Sequence, residues 1–336
     1  MPTFTRRAFG QLALAAAAPW GSMQNPSGRR YGYVHLDVFT DKAFTGNQLY
    51  VFLEPRGLDV DTMHTITRES NLSECTFVFP PEQAGTSYRV RIFMRTGEAP
   101  FAGHPTIGTA FALAHSGAIK AGTPRTVFGL GIGPTPIDLE WDGSRLKFAW
   151  MTQQKPTFGG TIADSAAMAA ALGLEPSATG GLPPAQEVNC GSAFLIVPLA
   201  TRKAVDAAVL DRAKVDALIA AAGVQRRGLY IVSTERGADD ADAYSRLLGS
   251  AGIEDPATGS AAGPAGCFMV KHGLVPAAKA PRLVILQGVL VRRPSRIHVN
   301  VSAVASGTSG SPRAVDVTGV KVGGASVVVG EGTVEV

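Results

Sequence analysis

Cysteine is scarce in this chain. Cys75, Cys190 and Cys267 are the three present, and an odd, scattered set gives no disulfide framework. The six histidines, His35, His64, His104, His115, His272 and His298, form no HxxxH spacing and join no CxxC pair. No metal site is therefore expected, and no metal or cofactor is assigned. Charged residues make up only 17% of the chain, without a Lys/Arg cluster to neutralise phosphates, so nucleic acid is not an expected partner. The formal net charge of +4 falls to +2 once Arg6 and Arg7 are set aside. A dinucleotide loop is absent as well. "GLGIGP" at 129 to 134 runs into Pro134 and the alternating "TPIDLEW", which reads as a hairpin turn with no helix opening after it.

What is present is apolar residue in quantity, 45% of 336 residues, enough to bury the cores of about two domains of ~150 residues each. The chain begins "MPTFTRRAFGQLALAAAAPWG". Paired arginines ahead of a short Ala/Leu run have the layout of a secretory signal of the twin-arginine type, covering residues 1–22, with cleavage after Ala17. Such a run is too short for a stable membrane anchor. The expectation is export to the periplasm; translation from Met23 would instead leave the protein cytoplasmic.

The rest of the chain looks written twice. "EAPFAGHPTIGTAFALAHSG" at 98 to 117 aligns without a gap on "EDPATGSAAGPAGCFMVKHG" at 254 to 273, yet one carries His104 where the other carries Ser260. Alternating strands and helices recur in the same order on either side, which predicts an α/β (α+β) fold of two similar domains from an internal duplication. The domains are read as 31–145 and 146–325, with 326–336 as a final strand returning to the first. The paired helices are apolar nearly all round and rich in Ala and Gly, as expected of a central helix inside a curled sheet. Pro105 suits a first helical position and Ser260 an N-cap. With the domains facing each other, Gly103 and His104 meet Gly259 and Ser260 at two helix N-termini, a place suited to an anion such as a carboxylate. The same residues read singly are turn glycines and caps.

Four ordered stretches, "NLSECTF" at 71 to 77, "PFAGHPTIGTA" at 100 to 110, "EDPATGSAAGP" at 254 to 264 and "LQGVLVRRPS" at 286 to 295, closely resemble the PhzF family of phenazine-biosynthesis-like isomerases. The resemblance spans Tyr31 to Val336 and implies a diaminopimelate epimerase-like fold with its site between the domains. Racemases of that wider fold carry a cysteine ahead of each paired glycine; here Ala102 and Thr258 stand there, and neither can serve as a thiolate base. The resemblance implies Glu74 of "NLSE" as the catalytic acid/base. In the second half Arg227 aligns with it, an asymmetry that suits one base. Burial in a closed cleft would raise the Glu74 pKa.

By the same resemblance His104 and Asp255 are catalytic residues, brought together when substrate closes the domains, and Gly103, Ser260, Gly259 and Asn47 bind substrate. Cys75 and Cys190 read as small buried hydrophobes. The resemblance also implies a homodimer and a small anionic substrate. Departures from the family pattern lie beside the motifs: Met94-Arg95 for a usual Thr-Pro, Gln48 for Pro, Arg292 for Gly. They leave the substrate open. The expected function is an isomerase moving a proton between carbons of a small carboxylate. The alternatives are a one-base epimerase of an amino or hydroxy acid and a periplasmic binding protein without turnover.

Overall fold

The computed structural model describes residues 28–225, 228–249, 254–306 and 314–336. The expected signal at 1–22, Met23 and Arg227 lie outside the described residues.

The first half of the chain supplies β1 (Arg30–Val38), β2 (Asn47–Phe52), α1 (Val60–Ser70), β3 (Glu74–Phe79), β4 (Tyr88–Met94) and β5 (Gly97–Ala99). It continues through α2 (Gly103–His115), β6 (Arg125–Leu130), β7 (Gly133–Asp142) and β8 (Arg145–Thr152). The second half supplies β9 (Thr157–Ile162), α3 (Ser165–Ala171), β10 (Ala185–Asn189), β11 (Ala193–Pro198), α4 (Arg202–Ala207) and α5 (Arg212–Ala222). After these come β12 (Gly228–Ser233), β13 (Ala243–Leu248), α6 (Gly259–Lys271), β14 (Leu283–Gln287), β15 (Ser295–Ser306), β16 (Ala314–Gly324) and β17 (Ser326–Glu335).

Strand pairing follows one programme twice. In the first half β1–β2 is antiparallel, β2–β3 parallel, β3–β4 antiparallel and β4–β6 parallel, with β6–β7 and β7–β8 antiparallel. In the second half β10–β11, β11–β12, β12–β13, β13–β14, β14–β15 and β15–β16 repeat those six senses in order. A parallel pair needs a crossover, and helices supply each one: α1 and α2 in the first half, α4 with α5 and then α6 in the second. The β8–β16 ladder joins the halves. β17 pairs with β1 as β9 pairs with β10, so the chain end extends the first half.

The sheet curls because each half closes around one helix. Gly103 to Leu113 of α2 and Gly259 to Val270 of α6 are buried without interruption. No polar face remains on either, which is why both sequences lack the amphipathic stripe of a surface helix. A single apolar core contains both helices, with Ile107, Phe111 and Leu113 from one and Phe268, Met269 and Val270 from the other. Truncating a fully enclosed ring such as Phe268 to Ala would cost roughly 3–5 kcal/mol. Both helices stop at a left-handed glycine, Gly117 (φ +75°) and Gly273 (φ +67°). "GLGIGP" is the β6–β7 hairpin, with Leu130 paired to Gly133 across a two-residue turn.

An ion pair fastens the halves beside the site. Arg293, from "VRRPS", pairs with Asp37, which is 1% exposed, and donates Nε to the Gly46 carbonyl at 2.7 Å. It thereby fixes the loop that ends at Asn47. Its neighbour Arg292 takes φ +58°, the left-handed geometry at which a glycine is the unstrained choice. Among the described residues no helix is long and apolar enough to cross a membrane.

Candidate active site

The N-termini of α2 and α6 abut. A Cβ on Gly103 would lie 2.6 Å from the Gly259 Cα and 2.6 Å from the Ser260 nitrogen, so only glycine lets the two backbones approach this closely. Two details differ from the sequence reading. Pro105 is the third helical residue of α2, because the helix already begins at Gly103 with Ala102 as its N-cap. Ser260 is the second residue of α6 and not its N-cap; Thr258 takes that place. Neither cap residue bonds its own helix start through a side chain. The first N–H groups of both helices are therefore left to whatever occupies the space before them.

Three loops bring side chains to this junction. At the end of α1, Asn71 adopts φ +54° and its N–H closes onto the Arg68 carbonyl, turning the chain so that Glu74 opens β3. Glu74 is paired in register with Met94 and its side chain is 13% exposed. His104 Nδ1 lies 3.3 Å from Glu74 Oε2. Asn47, held by the Arg293 clamp, points its Nδ2 at Asp255 Oδ1 (2.7 Å), the Ala257 carbonyl (3.0 Å) and His104 Nδ1 (3.1 Å). An amide nitrogen has two protons for these three acceptors, so one contact is shared. Ser73, also in "NLSE", donates to Asn47 Oδ1 at 3.3 Å.

Asp255 is fixed from both sides. Thr258 Oγ1 donates to its Oδ2 at 2.6 Å, and Gln287 Nε2 donates to its carbonyl at 2.8 Å and to Thr258 Oγ1 at 3.0 Å. Gln287 Oε1 accepts from the Thr258 N–H and from the buried Tyr230 hydroxyl, which is itself bonded to Ser245. His104 and Asp255 both reach Asn47, whose loop the Arg293 clamp sets beside the junction.

Burial sets the electrostatics. It drives the His104 pKa down to about 3, opposed only by a backbone contact at Gln48, so the imidazole is neutral at any physiological pH. His104 Nε2 is buried with no hydrogen-bond partner. Burial also raises Asp255 to about 6, against hydrogen bonds from Thr258 and Asn47 that favour the carboxylate. Cys75 is wholly enclosed and its thiol is pushed up to about 11, so it holds no thiolate near neutrality. Cys190 and Cys267 are buried also.

Glu74, His104 and Asp255 line one cavity of about 380 Å³ together with Gly103, Gly259 and Ser260. That is near the lower end of small-molecule sites. A more open groove of about 1120 Å³, bordered by Phe39, Phe148, Arg296 and His298, contains none of the three. The titratable groups converge in the smaller one. Sequence reasoning found its glycines and acids but did not single out Gln287, which lies in the quoted stretch at 286 to 295, or Tyr230, a polar residue inside an apolar strand. Among the described residues no cluster of three or more His, Cys, Asp or Glu could hold a metal ion.

Duplicated halves closed on central helices, with carboxyls and a neutral imidazole where those helices meet, define an isomerase of the epimerase-like fold. The PhzC-PhzF family, described as phenazine biosynthesis-like protein, matches residues 36–332. The chain belongs to this family, and it is an isomerase. It is 35% identical over 294 residues to the trans-2,3-dihydro-3-hydroxyanthranilate isomerase of Pseudomonas aeruginosa, covering 85% of this chain and 95% of that protein. A PhzF-family structure from Bacillus anthracis superposes with a TM-score of 0.75 at 23% identity, over 91% of this chain and 99% of the other. A hydroxyproline epimerase from Agrobacterium vitis shares the fold at a TM-score of 0.59 and 13% identity, over 92% and 93% of the two chains.

Proposed function

We propose that the protein moves a proton between carbons of a small unsaturated or cyclic carboxylate, with Glu74 as the single acid/base. The observation that carries this reading is the contact of Glu74 with His104 in a cavity that holds no thiol: Ala102 and Thr258 occupy the two positions ahead of the paired glycines. Glu74 takes the proton from one carbon and returns it to another. His104, neutral, steers the carboxylate and cannot repel a proton by its own charge. The substrate carboxylate sits on the free N–H groups at Gly103 and His104 of α2 and Gly259 and Ser260 of α6, where helix dipoles favour an anion. Asp255, Asn47 and the Ser260 hydroxyl orient the rest of the ligand.

The first substrate to try is trans-2,3-dihydro-3-hydroxyanthranilate, named for the P. aeruginosa relative. Turnover in heavy water with mass analysis is expected to place deuterium on carbon. Glu74→Gln, which keeps shape and hydrogen bonding, should lower kcat by roughly 10²–10⁴ while ligand still binds. A Glu74→Gln enzyme with normal kcat would refute the reading. Homodimerisation belongs to the same proposal and is checked by light scattering. So does export, which rests on "TRRAFGQLALAAAA". In a host with a twin-arginine system, a mature N-terminus near residue 18 in the periplasm is expected, and Arg6→Lys with Arg7→Lys should retain the protein in the cytoplasm.

A further inference from the structure

The two halves contribute unlike walls to the cavity. Ser73, Glu74, Arg95 and Thr96 line it from the first half with polar side chains. The second half adds, besides Asp255 and the α6 start, a patch across the neighbouring strands β11, β12 and β13, made of Phe194, Gly228, Leu247 and Leu248. Among the described residues these three strands bring no charged or hydroxyl side chain to the cavity. Gly228 is the register partner of Phe194. A Cβ on Gly228 would lie 3.1 Å from Leu247 Cδ1 and 3.4 Å from Phe194 Cε1, so a leucine and an aromatic ring flank the place where a side chain would stand. The backbone does not call for glycine here. Gly228 has no positive φ, and the atoms nearest the missing Cβ are side-chain carbons, unlike Gly103, where a Cβ would strike backbone. What the glycine provides is room, in the form of a slot with apolar flanks. Phe194 belongs to the core that holds both central helices and Leu247 packs against that core, so the flanks are held in place.

We propose that Gly228 is a specificity-determining residue: the slot it leaves between Phe194 and Leu247 seats an apolar part of the substrate, which makes carboxylates with an uncharged hydrocarbon body the preferred class. The helix N-termini hold the carboxylate and the slot takes hydrocarbon, where each buried methylene is worth about fourfold in affinity. A polar group placed in the slot meets carbon on both flanks and loses its hydration without gaining a partner. The proposal deepens the isomerase reading and takes from it the seat of the carboxylate.

The test is NMR titration of the full chain with two unreactive probes of one shape, cyclohexanecarboxylate and its ring-ether counterpart tetrahydropyran-4-carboxylate. The wild type should bind the hydrocarbon ring at least about fourfold more tightly than the ether. Gly228→Ala, which fills the slot with a methyl, should weaken cyclohexanecarboxylate about tenfold, and adding Leu247→Ala, which removes the nearest neighbour of that methyl, should recover most of the loss. Leu247→Asn, close in size but polar, should bring the ring-to-ether ratio to about one or below. Equal binding of the two probes by the wild type, no binding of cyclohexanecarboxylate, or a ratio unmoved by Leu247→Asn would each overturn the proposal. Glu74→Gln is expected to keep the wild-type ratio. If that variant still exchanges substrate protons with heavy water while the ratio follows Leu247, the acid/base assignment fails and the role of the slot stands.

Discussion

The two helix starts differ in what the duplication left on them. At α2, Gly103 and His104 face the cavity, with Glu74 arriving from β3; at α6, Gly259 and Ser260 occupy the matching places, with Asp255 arriving from the loop before. Backbone and glycines are held in common, because the close approach of two helix ends permits no side chain there. The chemistry resides in what is not held in common. A symmetric pair of bases would serve two-sided removal and return of a proton; the single acid/base proposed at Glu74 would serve transfer along a single face.

The largest effect that bears on this contrast is on rate: the Glu74→Gln loss in kcat should have no equal among changes at the α6 start. Ser260→Ala, which keeps the backbone N–H, should lower kcat by no more than about tenfold, and steady-state kinetics of the two variants side by side decides it. Next in size is packing. Gly103→Ala would drive a methyl into the backbone of Gly259 and Ser260, whereas Gly259→Ala meets the Phe39 ring at 2.8 Å and the Gly103 Cα at 3.2 Å. Overpacking costs about 1–3 kcal/mol, and denaturant melts should put Gly103→Ala at the upper end and Gly259→Ala below it. Equal losses would show that the junction relaxes evenly.

Asp255 sharpens the comparison through pH. Its folded-state pKa is raised from 3.8 to about 6, so its contribution to stability is complete below pH 3.8 and is lost as pH rises through 6. At pH 8 the penalty is of the order of 3 kcal/mol, at 1.36 kcal/mol per unit. Asp255→Asn should therefore stabilise the fold at pH 8 and have little effect at pH 4, while weakening turnover. A variant that melts lower at pH 8 would remove Asp255 from the strained, functional side of the pair. The smallest change is expected at Cys75, which is enclosed, does not border the cavity and has the Ser70 hydroxyl 3.4 Å from its sulfur: Cys75→Ser should retain activity within about twofold.

Much of this was legible in the residues. The gapless register between 98–117 and 254–273 foretold two thirteen-residue helices of matching start and end, since glycine spacing at a close crossing tolerates no insertion. β9 and β10 were not foreseen. "TFGGTI" has two glycines and "AQEVN" is mostly polar, so neither carries strand periodicity, and tertiary pairing makes them strands. At the site, Gly103, Gly259, Glu74, His104, Asp255 and Asn47 were named in advance and lie together. The buttress of Gln287 and Tyr230 was hidden because a polar residue within an apolar strand says nothing about which loop it will meet. Nor could the sequence show that Arg293 clamps the Asn47 loop, a contact across 247 residues.

One measurement bears on the central claim most directly. Wild type, Glu74→Gln and Cys75→Ser are incubated with a turned-over substrate in heavy water, and deuterium on the product carbon is read by mass spectrometry or NMR. The account predicts incorporation by wild type and Cys75→Ser, and its loss with Glu74→Gln. An active, deuterium-incorporating Glu74→Gln enzyme beside an inactive Cys75→Ser enzyme would contradict it and return the chemistry to a thiol.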